Sequence, residues 1–184
     1  MQQLESIEKE IQELKKRIEE LGEGVQEDKL SMIVFSGDMD KLLASFIIAT
    51  GAAAMGMKVS MFFTFWGIAA LRKENASPRK KDFMSKMFHY MLPRGANRVK
   101  LSKMNMGGMG TMMLKNLMKK KNVQSLSQLI EIAAELEVKI YICNMSMELM
   151  GFGPEDMIDY PGLEYAGVAT YLAEAQESKI QLFI

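Results

Sequence analysis

Leu4, Ile7, Ile11, Leu14, Ile18 and Leu21 recur at alternating spacings of three and four, with Glu, Lys and Arg filling the positions between them. This is the seam of a left-handed coiled coil. A helix of about three heptads is marginal alone in water, so residues 1–24 need either copies of themselves or the surface of their own domain. Gly22 and Gly24 break the pattern. From Lys29 onward, short apolar runs alternate with longer helical ones. Strands are expected at 30–35, 58–66, 138–142, 164–167 and 179–184. Helices are expected at 40–55, just after Gly67 to 73, 77–91, 111–121, 125–137, 146–150 and 168–177. Gly56 stands just past the end of the first of these. Ser77-Pro78 reads as an N-cap with Pro at the first helical position. Ser125 with Gln128 has the form of a capping box. Residues 106–110 read as a glycine-interrupted loop.

Strands separated by helices, built of apolar runs, indicate a parallel sheet covered on both faces. The expected fold class is α/β: a three-layer domain with a mainly parallel five-stranded sheet over residues 29–184, preceded by an N-terminal coiled-coil helix over 1–24. Residues 72–121 form a basic, Met-rich insertion between the second and third strands. At 184 residues the chain suffices for one domain with an appendage, and its 48% hydrophobic content excludes global disorder. The uncharged runs 42–57 and 59–71 are each shorter than the roughly 20 residues a membrane-spanning helix needs, so no stable membrane insertion is expected.

A single Cys excludes an intrachain disulfide and points to a reducing compartment. With no apolar signal core at its start, the chain is expected in the cytoplasm. One His and one Cys leave no metal site to predict, and no cofactor is expected. The net charge of zero conceals segregation: residues 72–121 hold 14 basic and 2 acidic residues, and residues 122–184 hold 2 basic and 10 acidic ones. The basic segment should project a positive field towards an anionic partner.

Ligands of open α/β sheets bind beyond the carboxyl ends of the strands. There the fold should gather Ser36-Gly37-Asp38, Trp66-Gly67 and Cys143-Asn144-Met145-Ser146. Cys143 lies between a strand end and a helix start, where free N–H groups favour the thiolate. Such a thiolate can attack a sulfane sulfur and hold it. A buried structural cysteine fits the position equally well. Candidate substrate-binding residues are Gly37, Asp38, Trp66, Gly67, Asn144, Met145 and Ser146. For Asp38 a turn and helix-capping role is the stronger reading, and Trp66 could equally fill the core.

The strings IVFSGDMDKLLASFIIATGAAAMGMKVSMFFTFWGIAALRK, NMGGMGTMMLKNLMKKKNV and CNMSMELMG, in that order, resemble the DsrE/DsrF-like superfamily of sulfur-relay proteins. The likeness covers roughly residues 29–184 and is greatest to the Met-rich DsrE-like branch, some members of which carry a peroxiredoxin-family label. The resemblance implies a small flavodoxin-like domain, usually a homo-oligomer, in which Cys143 carries sulfur as a persulfide or thiosulfonate. It also implies an acidic, TusA-like sulfur-carrier partner or a rhodanese-type donor. Some relatives use two cysteines, and this chain has one. A self-contained peroxidase or dithiol cycle therefore does not fit the count, whereas a carrier or sulfurtransferase does. The other reading is a non-catalytic oligomeric scaffold, or a small-ligand-binding module, with a structural cysteine.

Other constellations rank lower. Met104, Met106, Met109, Met112 and Met113 could bind Cu(I) through thioethers, but Met also serves as pliable filler and contact surface. His89 reads as structural or surface. The clusters Arg79-Lys80-Lys81 and Lys119-Lys120-Lys121 lack the aromatic interleaving of a nucleic-acid surface, so no nucleic-acid partner is expected.

Overall fold

The computed structural model describes residues 7, 10–17, 27–75, 87, 88 and 90–184. Strand β1 (Glu27–Val34) begins a five-stranded sheet with β2 (Lys58–Phe63), β3 (Lys139–Cys143), β4 (Leu163–Ala166) and β5 (Ser178–Phe183). The order across the sheet is β4-β3-β2-β1-β5, and every pairing is parallel. The fold is thus the expected three-layer, flavodoxin-like α/β domain.

The register explains why the two faces differ. Leu30, Met32 and Val34 of β1 pair with Val59, Met61 and Phe63 of β2, while Ile140 and Ile142 of β3 pair with Met61 and Phe63. Side chains alternate between faces, so this set shares one face. All of them are buried, against Leu42, Phe46 and Ala49 of α1 (Met39–Ala54) and against α3 (Leu126–Glu135). This is the main core. Helix α3 opens with the expected capping box: Ser125 N–H donates to Gln128 Oε1 at 2.9 Å, and Gln128 N–H donates to Ser125 Oγ at 3.4 Å. Gly56, with φ of 88°, ends α1 as its position indicated.

The opposite face is polar at one end. Lys29 and Lys58 sit side by side, as do Ser31 and Ser60. Ser31 Oγ lies 3.1 Å from Ser60 Oγ and 2.6 Å from Ser178 Oγ, all buried. Lys29 Nζ pairs with Glu174 at 3.1 Å and Glu177 at 2.7 Å. Burial pulls the Lys29 ammonium down, but these two carboxylates more than offset it and hold its pKa above the usual lysine value. At the other end of this face Phe62, Tyr141, Cys143 and Ala166 pack under Tyr171 and Ala175 of α5 (Val168–Gln176). Helix α5 is the crossover from β4 to β5, at opposite edges of the sheet. One nine-residue helix cannot cover five strands, so Val168, Leu172, Ile180 and Phe183 are left exposed.

Several boundaries differ from expectation. Strand β2 ends at Phe63 rather than at 66, because Phe65, with φ of 45°, turns the chain into a 3-10 helix over Phe65–Leu71. Helix α2 (Met109–Lys120) starts two residues early and includes Gly110. A Cβ at Gly110 would collide with the Met104 carbonyl, so glycine allows the chain to fold back at the helix start. Arg72, fully buried at the root of the insertion, stacks its guanidinium 4.2 Å from the Phe152 ring centroid and bridges in antiparallel fashion to Met157. Burial pulls its pKa down to about 10, partly offset by Asp156.

The expected helix at 77–91, His89, and Arg79-Lys80-Lys81 lie wholly or mostly outside the described residues, as do Leu4, Ile18 and Leu21 of the heptads. Residues 10–17 are helical and all exposed. Among the described residues no helix is long and apolar enough to cross a membrane.

Candidate functional site

Cys143 is the last residue of β3 and the N-cap of α4 (Asn144–Leu149). The carboxyl end of the strand therefore delivers the sulfur to the first N–H groups of the helix. Burial pushes the thiol up. Hydrogen bonds from the Ser146 hydroxyl and N–H, the Thr64 hydroxyl and the Met145 N–H outweigh it and hold the pKa below the ordinary thiol value. The two hydroxyls also meet each other, Thr64 Oγ1 to Ser146 Oγ at 2.8 Å. Ser146 is fully buried, whereas Asn144 and Met145 are exposed.

Cys143 itself is only 6% exposed, so the thiol is shielded rather than open at the mouth of the sheet. Its inward side is packed with Phe62 and Tyr171, whose ring centroids are 5.6 Å apart. The sulfur thus has aromatic groups on one side and hydrogen-bond donors on the other. It is a polarised, low-dielectric setting in which an anionic sulfur is held by fixed dipoles.

The remaining candidates form a second group. A Cβ at Gly67 would strike the Val34 carbonyl, and one at Gly37 would come within 2.6 Å of the Trp66 carbonyl. The loops after β1 and β2 are therefore in backbone contact, sealed by Gly67 N–H donating to Phe35 O at 3.0 Å. Gly37, Asp38 and Trp66 line a cleft of about 260 Å³ with Ser36, Leu92 and Lys100. Cys143 does not line this cleft. It points to the α5 side of the sheet, while Leu92 packs with the main core on the other. Thr64, two residues before Trp66, joins the two groups.

Asp38 makes the turn but does not cap with its side chain. Its carboxylate accepts from Ser36 Oγ at 2.9 Å and Lys41 Nζ at 3.0 Å, and the first N–H of α1 donates instead to Lys100 O at 2.8 Å. Trp66 is 42% exposed, so it walls the cleft rather than filling the core. Thr64 is the functional candidate that sequence reasoning missed. Its signal was a lone hydroxyl in the apolar string Phe62-Phe63-Thr64-Phe65-Trp66, at a strand end.

The chain is 52% identical over 159 residues to the uncharacterized protein YrkE of Bacillus subtilis strain 168, covering 86% of this chain and 98% of that one. It is 35% identical over 167 residues to the sulfur carrier protein DsrE2 of Allochromatium vinosum, covering 87% of this chain and all of that one. The crystal structure of the ychN protein from E. coli superposes with a TM-score of 0.49 at 10% identity, over 85% of this chain and 98% of that one. Residues 26–183 match the model of the DsrE/DsrF/DrsH-like family, and with a 35% identical relative matched along its whole length, the chain belongs to that family.

Proposed function

We propose that this protein is a sulfur carrier, acting as a single-cysteine sulfurtransferase, that holds sulfane sulfur on Cys143 and hands it to a partner. The observation that carries the reading is the set of donors around one thiol: two hydroxyls and two backbone N–H groups lower its pKa against burial. Similarity to a sulfur carrier supports the substrate class. The Cys143 thiolate attacks the outer sulfur of a donor persulfide. A new S–S bond forms, the donor S–S bond breaks, and the donor leaves as a thiolate. An acceptor thiolate then attacks the outer sulfur of the Cys143 persulfide and releases Cys143 as thiolate. Sulfur moves without net oxidation, so no second cysteine is required.

Anionic sulfur in the site is stabilised by Ser146, Thr64 and the start of α4. Gly37, Asp38, Trp66 and Gly67 shape a separate cleft at the same end of the sheet, where part of a docked partner's surface would rest rather than its sulfur. The positive field of the insertion favours an acidic carrier or a rhodanese-type donor. The thinly covered α5 face and the N-terminal heptads favour a homo-oligomer, and the lone reduced cysteine favours the cytoplasm.

The test is intact mass after exposure to a persulfide donor. The wild type should gain one sulfur atom, and Cys143→Ser should gain none. A Cys143→Ser protein that still loads sulfur removes the mechanism. The thiol's 6% exposure favours one other reading, a structural cysteine in an assembly scaffold. That reading requires slow alkylation with the pH midpoint of an ordinary thiol.

A further inference from the structure

Helix α2 buries only Thr111. Met109, Met112, Met113 and Leu117 recur at helical spacing on one face, and all are more than half exposed. Met104 and Met106 in the preceding turn have φ of 56° and 47°, a left-handed backbone that is costly for any residue but glycine. Their side chains gain no burial in return, being 79% and 64% exposed. The local backbone thus holds thioethers out in solvent. Residues 100–121 also hold six lysines and no carboxylate, and among the described residues none of the six makes an ion pair. Beside α2 runs a groove of about 400 Å³, floored by Met39, Met118, Val123 and Leu126 and rimmed by Lys115 and Lys119.

Both ends of α2 are tied to the carboxyl end of the sheet, the end that carries Cys143. Ahead of α2, Ser102 N–H donates to Asp40 Oδ1 at 2.8 Å, and Met39 N–H donates to Lys100 O, at the start of the helix that follows β1. Behind it, Ser125 caps α3, which runs down to the start of β3. Contiguous exposed apolar surface marks a contact site, and Met-rich surfaces adapt to the apolar face of a helix. The six lysines require that helix to be acidic. A flat bilayer would leave the groove empty, so the groove favours a protein. We infer that the protein exchanging sulfur with Cys143 docks on α2 and its groove through an acidic amphipathic helix, an inference that rests on the chain's being a sulfur carrier.

The probe is a fluorescent synthetic peptide of about 18 residues, ~27 Å long as a helix, with Leu along one face, Glu elsewhere and a benzophenone at its midpoint. The full chain should bind it in an anisotropy titration, and the crosslink should map within residues 104–128. Met109→Ser/Met112→Ser/Met113→Ser and Lys119→Glu/Lys120→Glu should each weaken binding by roughly tenfold or more. A peptide with Lys in place of Glu should prefer the lysine variant to the wild type. Equal binding of a peptide with Ser in place of Leu overturns the inference, because charge alone would then suffice. So do wild-type affinity in either variant and a crosslink elsewhere on the chain. If the variants lose only binding to phosphatidylglycerol vesicles, the face is a lipid surface and the inference also falls. Both variants should still gain one sulfur atom from a small persulfide donor. A wild type that binds the peptide but gains no sulfur overturns the carrier reading and not the docking surface.

Discussion

Ser146→Ala should slow alkylation of Cys143 at pH 7 by roughly tenfold or more, and the reason can be counted in protons. Sulfur, Ser146 Oγ and Thr64 Oγ1 lie within one hydrogen-bonded cluster, with the two oxygens 2.8 Å apart. When the thiol is ionised, two hydroxyl protons serve this cluster. One hydroxyl donates to sulfur, and the other donates either to sulfur or to its neighbour. A hydrogen bond to a charged group contributes about 1.5–3 kcal/mol, and about 1.4 kcal/mol corresponds to a factor of ten. Burial, the largest influence on this thiol, pushes the pKa up. Removing the Ser146 hydroxyl takes away the largest of the contributions that oppose burial, so the pKa should rise even though the Ser146 N–H, the Thr64 hydroxyl and the Met145 N–H remain. Thr64→Val should act in the same direction. The double variant should lose less than the sum of the singles, because each hydroxyl depends on the other. The assay is the rate of iodoacetamide alkylation against pH, with circular dichroism to verify the fold. If Ser146→Ala keeps the wild-type pH midpoint, the sulfur is not held by this cluster and the account of the site is wrong.

Two glycines should respond to the same substitution with opposite signs. Gly67→Ala forces a methyl against the Val34 carbonyl and should cost about 1–3 kcal/mol. Gly51→Ala, in α1 with open space around it, should stabilise by about 0.5–1 kcal/mol. Urea midpoints at unchanged m-value read both, and equal signs would contradict the packing described. Lys29→Met should destabilise by about 1–3 kcal/mol, since it leaves Glu174, whose side chain is 18% exposed, without its cation. The folded-state pKa of Lys29 is raised, so its contribution is complete below the unfolded lysine value of about 10.4 and is lost as pH climbs through the folded one. The stability gap between wild type and variant should hold level from pH 6 to 9 and close only at higher pH. A gap that closes within that range would exclude this ion pair as its source.

What the sequence disclosed, and what it hid, follows from range. The five strands, the Ser125/Gln128 capping box and the glycine after α1 rest on local signals a few residues long. The polar half of the α5 face rests on pairing. Lys29-Leu30-Ser31-Met32 and Lys58-Val59-Ser60-Met61 are the same pattern twice, and the sheet places them in register, Lys beside Lys and Ser beside Ser. Read as two apolar runs, they suggested a sheet greasy on both faces. Read as a repeated alternation, they would have given the polar row. Thr64 was hidden differently. Its bond to Ser146 spans 82 residues, so the lone hydroxyl at the end of the apolar string gave no indication of its partner. The end of β2 was misplaced because Phe65 and Trp66 favour a strand intrinsically. The close approach of Gly67 to β1 overrides that preference.

The shielding of Cys143 bears directly on how a carrier must work. A persulfide is attacked by any thiolate that reaches its outer sulfur, and this chain has no second cysteine to recover a misdirected sulfur. Phe62 and Tyr171 pack against the thiol, while the next two residues along the chain, Asn144 and Met145, are exposed. The inner sulfur would stay under the donors of α4 and Thr64. Small thiols would meet a cysteine that is only 6% exposed, whereas a docked partner could open the site with the energy of its own interface. Burial that would be a defect in an enzyme open to free substrate is thus consistent with a carrier that must release sulfur only on contact.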